Sequence, residues 1–261
     1  MDRQNDNPLN RLNRELPEGL LADSTWFRKK GYSRQLLNYY VSAGWLEQPA
    51  RSVFRRPRGT LGWQQVVLSL QMLLLDYRLA VGGRTALELK GYAHFLPQRT
   101  KEVHLYGPQP LPAWLDKLPL GVRFVHHNSR KLFKTEPTTF TFGSLPGNSL
   151  PEEWQLLLSV TERAILELLD ELPQHESFEQ VDALMEGLSN LSPRRLQELL
   201  VDCRSVKVKR LFFYFADRHK HAWLKQLKKD RIDLGSGKRM LAKGGRLDRT
   251  YQITVPEEPD A

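Results

Sequence analysis

Cysteine is almost absent from this sequence, since Cys203 is the only one among 261 residues. A single thiol excludes an intramolecular disulfide and any zinc site built on several cysteines, and it fits a reducing compartment. The most apolar run, residues 66–75, includes Gln71 and is much shorter than the roughly 20 residues that a membrane span needs. Residues 1–8 are polar and lack the apolar core of a secretion signal. We therefore expect a soluble, cytoplasmic protein.

Acidic residues are fewer than basic ones. The chain has 30 Asp and Glu against 39 Lys and Arg, a net charge of +9, while hydrophobic residues make up 40% and leave enough material for a core. An excess of positive charge favours a polyanionic partner, first of all nucleic acid. A basic surface without a specific role is the alternative interpretation.

The chain also lacks a recognisable catalytic or metal-binding pattern. The run Leu234-Gly235-Ser236-Gly237-Lys238-Arg239 does not have the spacing of a phosphate-binding Walker loop and is more typical of a tight turn whose amides and Lys238 are able to meet an anion. Asp217, His219 and His221 would point to different sides of a helix, and His126 and His127 look isolated. We predict no catalytic residues, no metal and no cofactor.

Residues 1–58 have the pattern of a winged helix-turn-helix. Three helices are expected at residues 8–16, 20–30 and 34–43, with Gly31 ending the second and Ser33 capping the third. Two short β-prone runs follow at residues 45–48 and 52–55, with Pro49-Ala50-Arg51 as the turn. Three helices followed by a hairpin within about fifty residues is the order of that DNA-binding unit.

The third expected helix has an apolar side, formed by Leu36, Leu37, Tyr40 and Val41, and a polar side. Glutamine and asparagine on the polar side suit the major-groove edge of adenine, because each amide both donates and accepts. Eight bases and one acid, Glu47, lie between residues 26 and 58, and basic groups beside a recognition helix suit phosphates. We predict a DNA-binding site made of Arg28, Lys30, Ser33, Arg34, Gln35, Asn38, Tyr39, Ser42, Arg51, Arg55 and Arg56.

Residues 59–261 are expected to form a larger, mixed α/β domain after a connector at residues 56–60, so the fold class is α+β. A long amphipathic helix is predicted at residues 61–77, and a helix at 84–90 after Gly82-Gly83. Capping patterns at Ser159 and Ser177, and Ser192 before a proline, predict three further helix starts. Other helices are expected at residues 206–216 and 220–227, and strands at 103–106, 122–125, 138–142, 154–158, 231–234 and 250–255.

A second basic region runs from residue 204 to 246, with interleaved aromatic residues that we expect in the core. Its charges suit RNA, DNA or an acidic protein, or simply face solvent. We predict a contact surface here, made of Lys207, Lys209, Arg210, Lys238 and Arg239.

The sequence resembles the AbiEi antitoxins of type IV toxin–antitoxin systems over nearly its whole length. The resemblance is carried by the order of several motifs, each weak alone. They are Leu36-Leu37-Asn38-Tyr39-Tyr40 leading to Gly44-Trp45-Leu46, Gly83-Arg84-Thr85-Ala86-Leu87-Glu88-Leu89, Ser159-Val160-Thr161-Glu162-Arg163-Ala164-Ile165-Leu166-Glu167-Leu168-Leu169, Val206-Lys207-Val208-Lys209-Arg210-Leu211, Leu234-Gly235-Ser236-Gly237-Lys238-Arg239 and Tyr251-Gln252-Ile253-Thr254-Val255-Pro256.

The resemblance implies a bifunctional protein. Its winged helix is expected to repress the operon by binding inverted repeats in promoter DNA, as a monomer in solution that binds DNA cooperatively. Its C-terminal domain is expected to neutralise an AbiEii-type nucleotidyltransferase toxin encoded by the neighbouring gene, without a stable complex. The contact surface predicted above, from Lys207 to Arg239, is then the expected antitoxin surface. Two alternatives stay open: a DNA-binding regulator whose C-terminal domain senses a ligand or partner, and an RNA-processing enzyme.

Overall fold

The computed structural model describes residues 7–92, 100–135, 140–143 and 154–257. The fold is mixed α+β, as predicted, with an N-terminal domain followed by a larger C-terminal domain. The described residues form three sheets and two hydrophobic core clusters.

The first part of the chain packs three helices against a three-stranded antiparallel sheet with the order β1-β3-β2. The region expected to be a helix at residues 20–30 begins as a strand, because Leu21 and Asp23 pair with β3. A shorter helix follows, and the Asp23 carboxylate caps it by accepting from the Trp26 N–H at 2.9 Å. The hairpin turns at Arg51 and Ser52, later than predicted. The elements are α1 (Pro8–Glu15), β1 (Leu21–Asp23), α2 (Ser24–Lys29), α3 (Arg34–Ser42), β2 (Glu47–Ala50) and β3 (Val53–Arg55).

The long helix expected at residues 61–77 is shorter and less regular. Helix α4 (Trp63–Ser69) continues into one π-helical turn, Leu70–Leu74. It packs against the N-terminal unit, where the Leu21 N–H donates to the Ser69 hydroxyl at 2.8 Å.

A five-stranded mixed sheet with the order β6-β5-β4-β8-β7 forms the centre of the chain. Strand β5 shows how the sheet separates two layers, because side chains alternate along a strand. Val103 and Leu105 join the core cluster shared with the N-terminal unit, while His104 and Tyr106 face the other side. Residues 138 and 139 of one expected strand lie outside the described ranges. The strands are β4 (Ala80–Val81), β5 (Glu102–Gly107), β6 (Arg123–Asn128), β7 (Phe140–Gly143) and β8 (Leu156–Ser159).

One core cluster therefore runs from Leu12 in α1 to Leu158 in β8. It includes α3 and β3 of the N-terminal unit, the helix α4 and one face of the sheet. Residues on both sides of chain position 58/59 contribute to this cluster, although Arg58 and Gly59 themselves are exposed. The division into domains 1–58 and 59–261 stays a prediction.

Helices cover the other face of the sheet and complete the C-terminal half. Ser177 and Ser192 cap helices as predicted, whereas Ser159 ends a strand and its hydroxyl bonds Glu167, so the capping box expected there is wrong. Residues 222–226 form 3₁₀ turns, and residues 231–234 contain no strand. The helices are α5 (Gly83–Leu89), α6 (Ser129–Leu132), α7 (Thr161–Asp170), α8 (Phe178–Gly187), α9 (Pro193–Asp202) and α10 (Val206–His219).

The chain closes with a small sheet in which β11 is central. Strand β9 (Arg239–Met240) pairs with it in parallel and β10 (Arg246–Asp248) in antiparallel orientation, and β11 spans Ile253–Val255. Its Ile253 and Val255 join the helical core cluster, which attaches the sheet to α10.

Candidate nucleic-acid interface

Helix α3 has the polar outer face that its sequence predicts. The Ser33 hydroxyl accepts from the Leu36 N–H at 3.1 Å and fixes the start of the helix. Leu37 and Tyr40 are buried beneath it, whereas Leu36 and Val41, expected to face inward, are only partly buried. The outer face is exposed along the whole helix and consists of Gln35, Asn38, Tyr39 and Ser42. Ser33 itself is taken up by its capping role.

A polar cleft of about 550 Å³ lies between α2, the start of α3 and the β2–β3 hairpin. Three arginines line it, one from each element: Arg28, Arg34 and Arg51. All three are exposed, and within the described ranges none of their side chains makes a hydrogen bond or an ion pair. Asn38 also lines the cleft, so an exposed amide and three unpaired arginines of the described part of the chain lie together.

Arg55 and Arg56, both predicted to contact DNA, instead have guanidinium groups that hold the N-terminal unit together. Arg55 is 6% exposed, and its Nε donates to the Glu47 carboxylate at 2.5 Å across the hairpin. Arg56 donates to the Leu16 carbonyl at 3.0 Å and pairs with Glu18 at 2.9 Å. Counting charges along a sequence does not show which of them are neutralised by the fold.

Of three more polar residues near the cleft, Lys30 belongs to the predicted site, whereas Lys29 and Gln48 do not. Lys30 stays exposed although its ammonium lies 3.5 Å from Glu15. Lys29 is exposed beside it, and Gln48 of the hairpin lines the cleft. Gln48 was missed because an isolated glutamine in a short strand carries no periodic signal.

The predicted antitoxin surface is not one surface. The Lys207 ammonium donates to the Leu172 carbonyl at 2.9 Å, and Lys209 is 4% exposed. Arg210 is buried and donates to the Leu234 carbonyl at 2.7 Å and the Gly237 carbonyl at 2.6 Å. The assignment of these three to a contact surface is corrected; Lys238 and Arg239 remain exposed.

A chain of hydrogen-bonded groups links β5, β6 and the end of α7. His104 Nδ1 lies 2.9 Å from His127 Nε2, and His127 Nδ1 lies 3.1 Å from the Glu171 carboxylate. Burial lowers the pKa of His104 to about 4, so its imidazole is neutral near pH 7. The sequence made His127 look isolated, because its partners come from other elements.

The suspected ligands Asp217, His219 and His221 do not converge. His219 pairs with Asp182 at 2.8 Å, and His221 contacts the Met185 carbonyl at 2.7 Å. Among the described residues no group of three His, Cys, Asp or Glu side chains is placed to hold a metal ion. In the same ranges no helix is long and apolar enough to span a bilayer.

Comparison with known proteins gives two family matches that together cover most of the chain. Residues 5–98 match the family described as "Transcriptional regulator, AbiEi antitoxin N-terminal domain". Residues 100–256 match "Transcriptional regulator, AbiEi antitoxin, Type IV TA system". A search of curated proteins finds no match.

Among solved structures, the chain is similar to the RV2827C protein from Mycobacterium tuberculosis. The two share 17% sequence identity with a TM-score of 0.57, over 94% of this chain and 89% of the other. This likeness shows a common fold.

Proposed function

Because this chain belongs to the AbiEi family of antitoxins, the transcriptional regulators of type IV toxin–antitoxin systems, we propose that it represses its own operon. Its N-terminal unit is a winged helix-turn-helix that binds inverted repeats in the promoter. The observation that carries the proposal is the cleft where Arg28, Arg34 and Arg51 surround the start of α3 without partners in the described part of the chain. We propose that the protein is a monomer in solution and binds DNA cooperatively.

Helix α3 supplies the base readout. Its exposed amides, Gln35 and Asn38, are able to donate and accept at an adenine edge once the helix lies in the major groove. The hairpin carries Arg51 at its tip, where a phosphate beside the groove is within reach. Arg55 and Arg56 support this arrangement from within by fixing the hairpin and α1.

The second activity is neutralisation of a nucleotidyltransferase toxin encoded by the neighbouring gene, and we propose no enzymatic activity for the chain itself. The family match over residues 100–256 supports the antitoxin role. Co-expression of this protein with the neighbouring gene product tests it. Restored growth is the expected result, and continued growth arrest at comparable antitoxin levels would contradict the proposal.

We expect Asn38→Ala to weaken binding to the operator by about 1–3 kcal/mol, because a bidentate base contact is lost. Binding to scrambled DNA of equal length should change much less. The matched control is Asn190→Ala, an exposed asparagine before α9. Fluorescence anisotropy with both DNAs measures the difference, and equal losses on the two would remove Asn38 from the readout.

We expect strong salt dependence of operator binding. Five exposed cations surround the start of α3: Arg28, Lys29, Lys30, Arg34 and Arg51. If each meets a phosphate, log K falls against log salt with a slope of about −4.5, a loss of about 500-fold between 50 and 200 mM.

The Arg51→Ala variant should reduce the magnitude of that slope by about 0.9, because one phosphate contact is lost. Arg78→Ala, which removes an exposed charge outside the N-terminal unit, should leave it unchanged. Titrations in which affinity hardly varies with salt would mean that the arginine cleft faces away from DNA.

A further inference from the structure

The turn between residues 234 and 239 has an unusual supply of unused hydrogen-bond donors. Gly235 and Gly237 have positive φ angles of 61° and 74°, and the Gly235 N–H bonds the Asp233 carboxylate at 2.8 Å. Within the described ranges the N–H groups of Ser236, Gly237 and Lys238 have no partner. Successive free amides in a turn form a concave site for an anion.

Arg210 fixes this turn from below. Its guanidinium donates to the carbonyls on both sides of Ser236, those of Leu234 at 2.7 Å and Gly237 at 2.6 Å. The turn also rests on Val206, since a Cβ at Gly235 would lie 3.0 Å from a Val206 methyl group. The donors are therefore held in place by buried structure before any ligand arrives.

Positive charge accumulates around the turn. Lys238 and Arg239 are exposed, and they make no ion pair with a described residue. Arg210 lies close by, because the Gln252 carbonyl accepts from both the Arg210 guanidinium at 3.3 Å and the Arg239 N–H at 2.9 Å. Among the described residues Asp233 is the one acid bonded to the turn, so the local net charge stays positive.

The cations continue across the surrounding surface. Residues 220–249 contain ten Lys and Arg but three Asp. Of those acids, Asp233 bonds the turn and Asp248 accepts from the Tyr251 N–H at 2.7 Å. Six further exposed cations without an ion pair in the described part of the chain are Lys225, Lys228, Arg231, Lys243, Arg246 and Arg249.

The aromatic residues of this region are not free to stack on bases. Trp223 and Tyr251 are buried, and the Lys229 ammonium lies over the Tyr251 ring at 4.3 Å. Proteins that hold single strands use exposed aromatic rings as stacking platforms. A surface with many cations and buried aromatic rings fits the phosphate backbone of a duplex better than the unpaired bases of a single strand.

We propose that the turn 235–239 and the cations around it bind the phosphodiester backbone of a double-stranded nucleic acid, independently of the N-terminal unit. One phosphate is bound by the amides of Ser236, Gly237 and Lys238 together with the Arg239 guanidinium. Arg210 is a positioning residue that does not touch the ligand. All residues of the turn are exposed, so the rest of a polymer has room in solvent.

The test uses the full chain with ¹⁵N-labelled glycine and the substitutions Arg34→Ala and Arg51→Ala, which disable the N-terminal cleft. The probes are a random-sequence DNA duplex, the equivalent RNA duplex, one single strand, inorganic phosphate and polyglutamate. The Gly235 and Gly237 amide resonances should shift with either duplex and less with the single strand. Which duplex binds more tightly distinguishes DNA from RNA.

Adding Lys238→Ala and Arg239→Ala should abolish these shifts and reduce the magnitude of the salt slope of duplex binding by about 1.8, two phosphate contacts at 0.9 each. Adding Arg78→Ala and Lys117→Ala instead, two exposed cations elsewhere, should leave both readouts unchanged. Shifts with polyglutamate but not with duplex would assign the surface to an acidic protein and overturn the proposal. Shifts with inorganic phosphate but with neither duplex would show that the turn binds a small anion, and would also overturn the proposal.

This test is separate from that of the promoter. If the preference for operator over scrambled DNA survives Arg34→Ala and Arg51→Ala, the N-terminal proposal fails whatever the glycine resonances show. If the glycine resonances stay unchanged with every probe, the C-terminal proposal fails whatever happens at the promoter.

Discussion

A protein that carries both Arg34→Ala and Arg51→Ala should lose repression of its promoter and still rescue growth from the toxin. Both side chains are exposed and have no partner within the described ranges, so their removal costs the fold little. Charged hydrogen bonds contribute about 1.5–3 kcal/mol each, so two lost phosphate contacts should weaken operator binding more than a hundredfold. A promoter-reporter fusion and growth during co-expression measure the two activities at matched protein abundance.

Arg78→Ala with Lys117→Ala is the matched control and should retain both activities. Thermal melting must be unchanged for both variants, because a lost core mimics either phenotype. Failure of the Arg34/Arg51 variant to rescue growth, at equal abundance and equal melting temperature, would show that promoter binding and antitoxin activity are one function.

Gly82→Ala should destabilise the protein by about 3–5 kcal/mol, because it disturbs a buried ion pair. A Cβ at Gly82 would lie 2.2 Å from the Glu167 carboxylate and 2.5 Å from the Tyr106 ring. That carboxylate is fully buried and accepts from the Gly83 N–H at 3.0 Å and from Arg163 at 2.6 Å. A methyl group that displaces it leaves buried charges without their partners.

The corresponding fall in melting temperature is about 10 °C or more for a chain of this size. Gly121→Ala is the control, since a Cβ there meets nothing within 4 Å and its φ is not positive. Equal melting temperatures for the two variants would mean that Glu167 moves aside without loss.

The sequence predicted helix starts correctly where a single capping side chain is enough to fix the first turn. Ser33, Ser177 and Ser192 each cap a helix, because the bond from a backbone N–H three residues on needs nothing else from the chain. Ser159 fits the same pattern, but its strand pairs with β4 and β7 and its hydroxyl bonds Glu167. The helix expected there is present and begins at Thr161, but Val160 takes the cap position and Ser159 stays in the strand.

The candidate site was predictable on α3 but not on the hairpin. The polar face of α3 follows from helical periodicity, so its exposure was expected. The roles of Arg51 and Arg55 differ only because Glu47 stands opposite Arg55 in the ladder while Arg51 lies at the turn. The sequence shows that Glu47, Arg51 and Arg55 are charged, but it does not show the strand register that pairs Glu47 with Arg55.

Lys207, Lys209 and Arg210 illustrate the same limit in the helical half. They lie within four consecutive residues at the start of α10, and side chains that spread around a helix in this way cannot all face solvent when the helix is packed on several sides. The fold directs Lys207 to carbonyls at the end of α7 and Arg210 to the turn after residue 234. The number of charged residues in this part of the sequence therefore overestimated how many cations are exposed on the surface.

One core cluster runs from α1 to β8, so a ligand that binds the N-terminal unit also stabilises the central sheet against unfolding. A ligand that binds the native state alone stabilises it by about 2.7 kcal/mol at one hundred times its Kd. Because α3 and the central sheet share that cluster, promoter DNA bound at α3 should slow amide exchange and proteolysis in β4 and β5 as well. Copies of the protein on the promoter would then outlast free copies, and the operator would serve as a reservoir of antitoxin.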